Sequence, residues 1–171
     1  MSLLIQKGVR MYRGIIFLDI DGVLKHPFEN NWYNDSIELI NNYCNSSNIK
    51  IVISSEWRLH KSRAFFNKIL SNNVIGMTKD LSSIHCNYTR YYECIQYASK
   101  HKINNFLFID DKPSLFLNTD KLIVTNPDRG ITFNDIFLID LKFSKSLEFK
   151  QMSIFNNTEE ITYWYFSLFL L

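Results

Sequence analysis

Ile15-Ile16-Phe17-Leu18-Asp19-Ile20-Asp21-Gly22-Val23-Leu24 passes from an unbroken apolar run straight into two carboxylates and a glycine. An apolar run without polar alternation is the mark of a strand covered on both faces. This one is read as a strand over 14–20, and four more of the same character lie at 50–54, 73–77, 105–110 and 121–125. Apolar residues at helical spacing fill the gaps: Ile37, Ile40 and Cys44 within 35–44, Phe65, Phe66, Ile69 and Leu70 within 59–70, and Cys94, Ile95 and Ala98 within 89–101. Asp35 or Ser36 is placed to cap the first of these helices. Strands alternating with helices predict an α/β fold, a three-layer, doubly wound (Rossmann-like) parallel sheet of about five strands.

In such a sheet the ligand crevice lies beyond the carboxyl ends of the strands. That is where the polar residues fall: Asp19-Ile20-Asp21-Gly22 after the first strand, Ser54-Ser55 after the second, Asp110-Asp111 after the fourth. Each piece alone has a plainer reading. A D-x-D-G can be a turn, an Asp-Asp a helix cap or surface loop, and Ser54-Ser55 the cap of the next helix. Their arrival together at one edge of one sheet favours a site. Paired carboxylates repel unless a cation lies between them. Oxygen ligands without His or Cys favour Mg²⁺ over zinc.

The chain has 171 residues, which suits one α/β domain, expected over 13–145 between an extension at 1–12 and a segment at 146–171. With 46% hydrophobic residues and a net charge of +2, a packed core is expected, and the strong basic excess of a dedicated nucleic-acid binder is lacking. Cys44, Cys86 and Cys94 have no C-x-x-C spacing and are read as reduced thiols, which fits a cytoplasmic location. Gln6 and Lys7 interrupt the opening apolar residues, so no secretory signal is expected, and Met11 offers a second start. The apolar stretch Ile161-Thr162-Tyr163-Trp164-Tyr165-Phe166-Ser167-Leu168-Phe169-Leu170-Leu171 is too short to span a bilayer. It is expected to pack on the domain or on a sister subunit in a homo-oligomer, in preference to serving as an interfacial membrane anchor.

Ile15 to Leu24 resembles the first motif of the haloacid dehalogenase-like (HAD) phosphohydrolases. Ile51-Val52-Ile53-Ser54-Ser55 resembles their second motif, and Phe106-Leu107-Phe108-Ile109-Asp110-Asp111 their fourth, the likeness covering about 13–140. Ser54-Ser55-Glu56-Trp57-Arg58, Arg90 with Glu93, and Thr125-Asn126-Pro127-Asp128-Arg129-Gly130-Ile131-Thr132 resemble a narrower group, the HAD domains of multi-domain RNA-repair proteins. The resemblance implies a phosphatase in which Asp19 attacks phosphorus and Asp21 serves as acid and base. It implies that Ser54, Ser55 and Gly22 meet the phosphorylated substrate; Arg58 follows the second strand closely enough to do so too, or else serves at the surface or in stabilising a helix. Mg²⁺ would be held by Asp19, the Asp21 carbonyl, Asp110 and Asp111, with Asp111 the closer ligand of the last two.

The family's third motif is normally a lysine, and here the sequence departs. Lys100 and Lys102 fall near the wrong end of the third helix, about 15 Å from its start. Arg90 lies near its beginning, at the correct edge of the sheet, and is assigned the role, with Lys79 and Lys112 in reserve. Neither gap between motifs leaves room for a cap domain, so the crevice is expected to be open to a bulky phosphorylated end, of a nucleotide, a nucleic acid or a protein side chain. The loop at 25–34, with Phe28, Trp32 and Tyr33, is read either as a small flap over the crevice or as a hydrophobic anchor. Trp57 is read as core or crevice wall in preference to a base-stacking platform, and the four histidines as solvated or locally bonded. Transfer of the phosphoryl group to an acceptor other than water, and a silent phosphate- or nucleic-acid-binding module, are the competing functions.

Overall fold

The structure, a computed structural model, describes residues 12–83 and 87–155, with side chains to 145. The elements run β1 (Gly14–Leu18), α1 (Asn34–Ser47), β2 (Ile49–Ile53), α2 (Arg63–Ile69), β3 (Val74–Met77), α3 (Thr89–Lys100), β4 (Phe106–Asp110), β5 (Leu122–Val124) and α4 (Phe133–Phe155). Short 3-10 turns at Glu56–Leu59 and Pro113–Leu115 follow β2 and β4. All strand pairs are parallel, in the order β3-β2-β1-β4-β5. The doubly wound sheet expected from the apolar runs is therefore present.

Side chains alternate across the pleat and split the core in two. Ile15, Phe17, Val52, Phe106 and Phe108 pack with Cys94 and Ala98 of α3 on one face. Ile16, Leu18, Ile51, Ile53, Leu107 and Ile109 pack on the other with Ile40 of α1, Phe66 of α2, and Ile139 and Phe143 of α4. Each large apolar side chain buried this way stabilises the fold by about 1.5–3 kcal/mol. The two faces explain why the strands read as continuous apolar runs.

The chain steps outward from β1 to β2 and β3, then returns through α3 to β4 on the other side of β1. That reversal opens a crevice beyond the carboxyl ends of β1 and β4. Register completes the placement. Leu18 is aligned with Ile53 on one side and Ile109 on the other, so Asp19, Ser54 and Asp110 leave the sheet side by side.

Several boundaries differ from expectation for local reasons. The strand read to position 20 ends at Leu18, because the Ile20 carbonyl accepts N–H groups from Val23, Leu24 and Lys25 in a tight turn. The helix read over 59–70 begins only at Arg63, where the Ser62 hydroxyl caps the Phe65 N–H. Neither Asp35 nor Ser36 caps α1: its N-cap is Tyr33, without a side-chain bond, and the Ser36 hydroxyl donates to the carbonyl of Ile131 at 2.8 Å. The helix α4 was not anticipated. Its start is marked by Thr132, whose N–H and hydroxyl both donate to Asp135 Oδ2. Among the described residues no second domain covers the crevice. Cys44 and Cys94 are free and buried, while Cys86, the extension at 1–11 and the apolar stretch at 161–171 lie outside the described residues.

Candidate active site

Asp19 is the first residue beyond β1 and is buried at 5% exposure. Asp110 closes β4 and is fully buried, and Asp111 follows it. One carboxylate oxygen from each of the three lies within 4.8 Å of the other two. Arg90, in the first turn of α3, reaches into this cluster: its Nη1 stands 3.1 Å from Asp19 Oδ1 and 3.1 Å from Asp110 Oδ2. The helix-rise argument that placed Arg90 at the carboxyl edge is matched by this contact. Lys79 and Lys112 are exposed, and Lys100 ends α3.

Glu93, one turn beyond Arg90, links two guanidiniums. Its carboxylate lies 2.7 Å from Arg58 Nη2 and 3.9 Å from Arg90 Nε, and it accepts the Leu81 N–H at 3.0 Å. The i, i+3 spacing from Arg90 was visible in the sequence, but only the fold brings Arg58 to its other side. Of the two roles open to Arg58, substrate contact or structural support, its contacts are those of support. Nε donates to the Thr78 carbonyl, Nη1 to those of Ser54 and Ser55, and Nη2 to that of Lys79, in addition to the Glu93 ion pair. These contacts engage all five N–H groups and leave none for a phosphate oxygen.

Ser54 is buried just beyond the end of β2, in register with Asp19. Ser55 acts locally, its hydroxyl accepting the Trp57 N–H at 3.4 Å as a cap. The backbone donor expected at Gly22 is occupied, since that N–H donates to the Lys25 carbonyl at 2.7 Å. What Gly22 contributes is closeness. Its φ is +73°, and a Cβ there would stand 2.5 Å from the Asp111 carboxyl carbon. The Thr125 hydroxyl, at the end of β5, holds this turn by donating to the Gly22 carbonyl at 2.9 Å.

Asp21 stands apart from the cluster. Its Oδ2 accepts the Trp57 indole N–H at 2.8 Å, and its Oδ1 lies 3.9 Å from Lys25 Nζ. Trp57 is thus both crevice wall and partner of a polar side chain, a role the sequence did not reveal. The flanking loop is anchored at one end and free at its tip. Trp32 packs on Trp57 and the Tyr33 hydroxyl donates to the Pro127 carbonyl, whereas Phe28 is 92% exposed. His26 is locally bonded, its Nδ1 accepting the N–H groups of Phe28 and Glu29.

Carboxylates outnumber guanidiniums at the site. Asp19, Asp110, Asp111 and Glu93 bring four carboxylates against the two guanidiniums of Arg58 and Arg90. Burial first, then the Asp19 carboxylate, pushes the Asp110 pKa up to about 7, against the pull of Arg90 and the Lys112 N–H. Burial and Asp19 also raise that of Asp111. Burial works against the charge on Arg90, yet Asp19 and Asp110 hold its pKa above the ordinary value. Both Asp110 oxygens have donors, Oδ1 from the Lys112 N–H and Oδ2 from Arg90. Asp111 Oδ1, by contrast, is buried with no hydrogen-bond partner among the described residues. An orphaned carboxylate oxygen beside two other acids fits a hard divalent ion.

No helix of the described residues is long and apolar enough to cross a membrane. No curated protein and no solved structure matches the chain. Residues 15–136 match the family model for the HAD domain in Swiss Army Knife RNA repair proteins. The match spans all five strands, Arg90 and the acidic cluster, so the resemblance read from the motifs is a relationship: this chain belongs to the HAD domain family of the Swiss Army Knife RNA repair proteins.

Proposed function

We propose that the protein is a magnesium-dependent phosphomonoester hydrolase working through an aspartyl-phosphate on Asp19, with the ends of nucleotides or polynucleotides as substrates. The observation that carries this reading is the ion pair between Arg90 and Asp19 inside a buried acidic cluster. It engages one oxygen of the carboxylate and leaves the other for attack on phosphorus. As the new bond forms, the bond to the leaving oxygen breaks and that oxygen takes a proton from Asp21. Water then attacks the phosphorus and gives a proton to Asp21, while the bond from phosphorus to the Asp19 oxygen breaks, releasing inorganic phosphate and restoring the carboxylate. Ser54 is suited to donate to a phosphoryl oxygen, and Arg90 to neutralise charge that develops there.

Asp19, Asp111 and Asp110, with the Asp21 carbonyl, would hold Mg²⁺; the unpartnered Asp111 Oδ1 supports Asp111 as the closer ligand of the last two acids. The bound ion supplies the positive charge that lets an anionic nucleophile approach an anionic phosphoryl group. The family's place in RNA repair proteins and the uncapped crevice support a nucleic-acid end over a small metabolite. Catalytic silence is disfavoured because the arginine in the third-motif position reaches its carboxylates.

Phosphate release from p-nitrophenyl phosphate and from 3′- and 5′-phosphorylated oligoribonucleotides, with and without Mg²⁺, tests the proposal. Release should require Mg²⁺ and fall at least about 10³-fold in Asp19→Asn. Activity that survives this substitution excludes Asp19 as the nucleophile. Alkyl phosphate formed when an alcohol is added would mark transfer in place of hydrolysis.

A further inference from the structure

The Asp21 carboxyl emerges two residues after Asp19 yet is not among the groups that converge with it. The turn at Ile20 ends the strand alternation that would have aimed both side chains alike. Two contacts take its place: the Trp57 indole N–H at 2.8 Å from Oδ2, and Lys25 Nζ at 3.9 Å from Oδ1. The lysine is held by its own bonds to the carbonyls of His26 and Glu29. Trp57 is held by its ring, stacked on Phe65 at 6.3 Å and set edgewise against Trp32 at 5.6 Å, with Lys25 Nζ 5.8 Å from its centroid. A ring so surrounded makes a poor platform for a base and a rigid mount for its N–H. A cavity of about 350 Å³ lined by Asp21, Glu56, Trp57, His60 and Lys61 opens beside the pair.

We propose that Trp57 is a positioning residue for proton transfer, its indole N–H holding the Asp21 carboxyl clear of the acidic cluster and turned to the cavity through which the leaving group departs. The proposal rests on the reading of Asp21 as the acid and base. The proton that Asp21 delivers to the departing oxygen must arrive as the phosphorus–oxygen bond breaks, so a carboxyl aimed only by its own rotamer delivers it late. A neutral N–H fixes the orientation without adding charge, and the mount keeps it rigid.

Trp57→Phe retains the ring contacts and removes the donor. Single-turnover rates are measured for wild type and variant on p-nitrophenyl phosphate, whose leaving group needs little protonation, and on an alkyl phosphate, whose leaving group needs it fully. The variant should lose about 10-fold or more on the alkyl ester and less than about threefold on the nitrophenyl ester. In an Asp21→Asn background the same change should cost nothing further on either. Equal losses on both esters, no loss on either, or an additive loss in the double variant would overturn the proposal while leaving the phosphatase reading in place. A wild-type protein that turns over neither ester, or an Asp21→Asn variant as fast as wild type, would instead remove the reading on which it rests. The contact has its own readout: the Trp57 indole N–H resonance should move upfield and exchange faster with solvent in Asp21→Ala.

Discussion

Arg58 and Arg90 are both buried, both rise from loops or first turns at the carboxyl edge of the sheet, and both meet Glu93, but from there they diverge. Arg90 turns its Nη1 to the carboxylates of Asp19 and Asp110. Arg58 turns its guanidinium to four backbone carbonyls, those of Ser54, Ser55, Thr78 and Lys79, and so ties the loop after β2 to the chain leaving β3. The acceptors decide the role. A guanidinium on carboxylates can exchange some of that interaction for a phosphoryl group as charge moves, whereas one on backbone carbonyls is committed to holding the chain. Glu93 makes the two share a single anchor, so the carboxylate that braces Arg58 also fixes the position of Arg90.

The sharpest way to break this contrast is Arg90→Met, expected to lower kcat/KM by about 10²- to 10³-fold in a phosphate-release assay. Arg58→Met should act in the other direction, costing about 3–5 kcal/mol of stability in urea unfolding because Glu93 loses its closest partner in a buried setting. Mg²⁺ should stabilise Arg90→Met by more than it stabilises wild type, because the ion replaces a lost positive charge, and Arg58→Met by no more than wild type. If the two variants show the same pattern, the distinction between catalytic and scaffold arginine fails.

Titration sharpens it further. The Asp110 pKa is raised from 3.8 to about 7, so between those values the folded protein keeps a proton that the unfolded chain has released. Its contribution to metal-free stability is complete below about pH 4 and is lost as pH rises through about 7. A divalent ion bound there would replace that proton, so the gain in melting temperature on adding Mg²⁺ should be larger at pH 8 than at pH 5 in scanning calorimetry. An equal gain at both would separate Asp110 from the metal site.

Smaller effects test the surroundings. Gly22→Ala puts a Cβ at positive φ and against the Asp111 carboxyl, and should cost about 1–3 kcal/mol and weaken Mg²⁺ binding measured by calorimetric titration. Phe28→Ser, at the exposed loop tip, should leave stability within about 0.5 kcal/mol. A large loss there would mean that the tip is anchored as Trp32 and Tyr33 are.

Legibility followed the range of the interactions. The five strands, the three sheet-edge motifs and Arg90 could be read because each depends on local rules: apolar runs, the strand-end position of polar residues, and the rise of one helix. The partners of Arg58 and Trp57 could not. The Trp57 to Asp21 bond spans 36 positions, and a chain reading has no way to choose between a tryptophan that fills a wall and one that also bonds a carboxylate. The missed helix α4 shows a related blindness, since a stretch that is apolar on most sides carries little periodicity by which to recognise it.

By itself, then, the order of residues determined the parallel sheet, the edge at which chemistry gathers and the residue types that gather there, because backbone geometry and apolar burial act over a few positions at a time. Only the tertiary structure decided which arginine meets Asp19, which oxygen of the acidic cluster is left without a donor, and how Asp21 is parted from Asp19. Those outcomes depend on side chains from distant segments competing for the same few buried acceptors, and that competition is settled only when the segments pack.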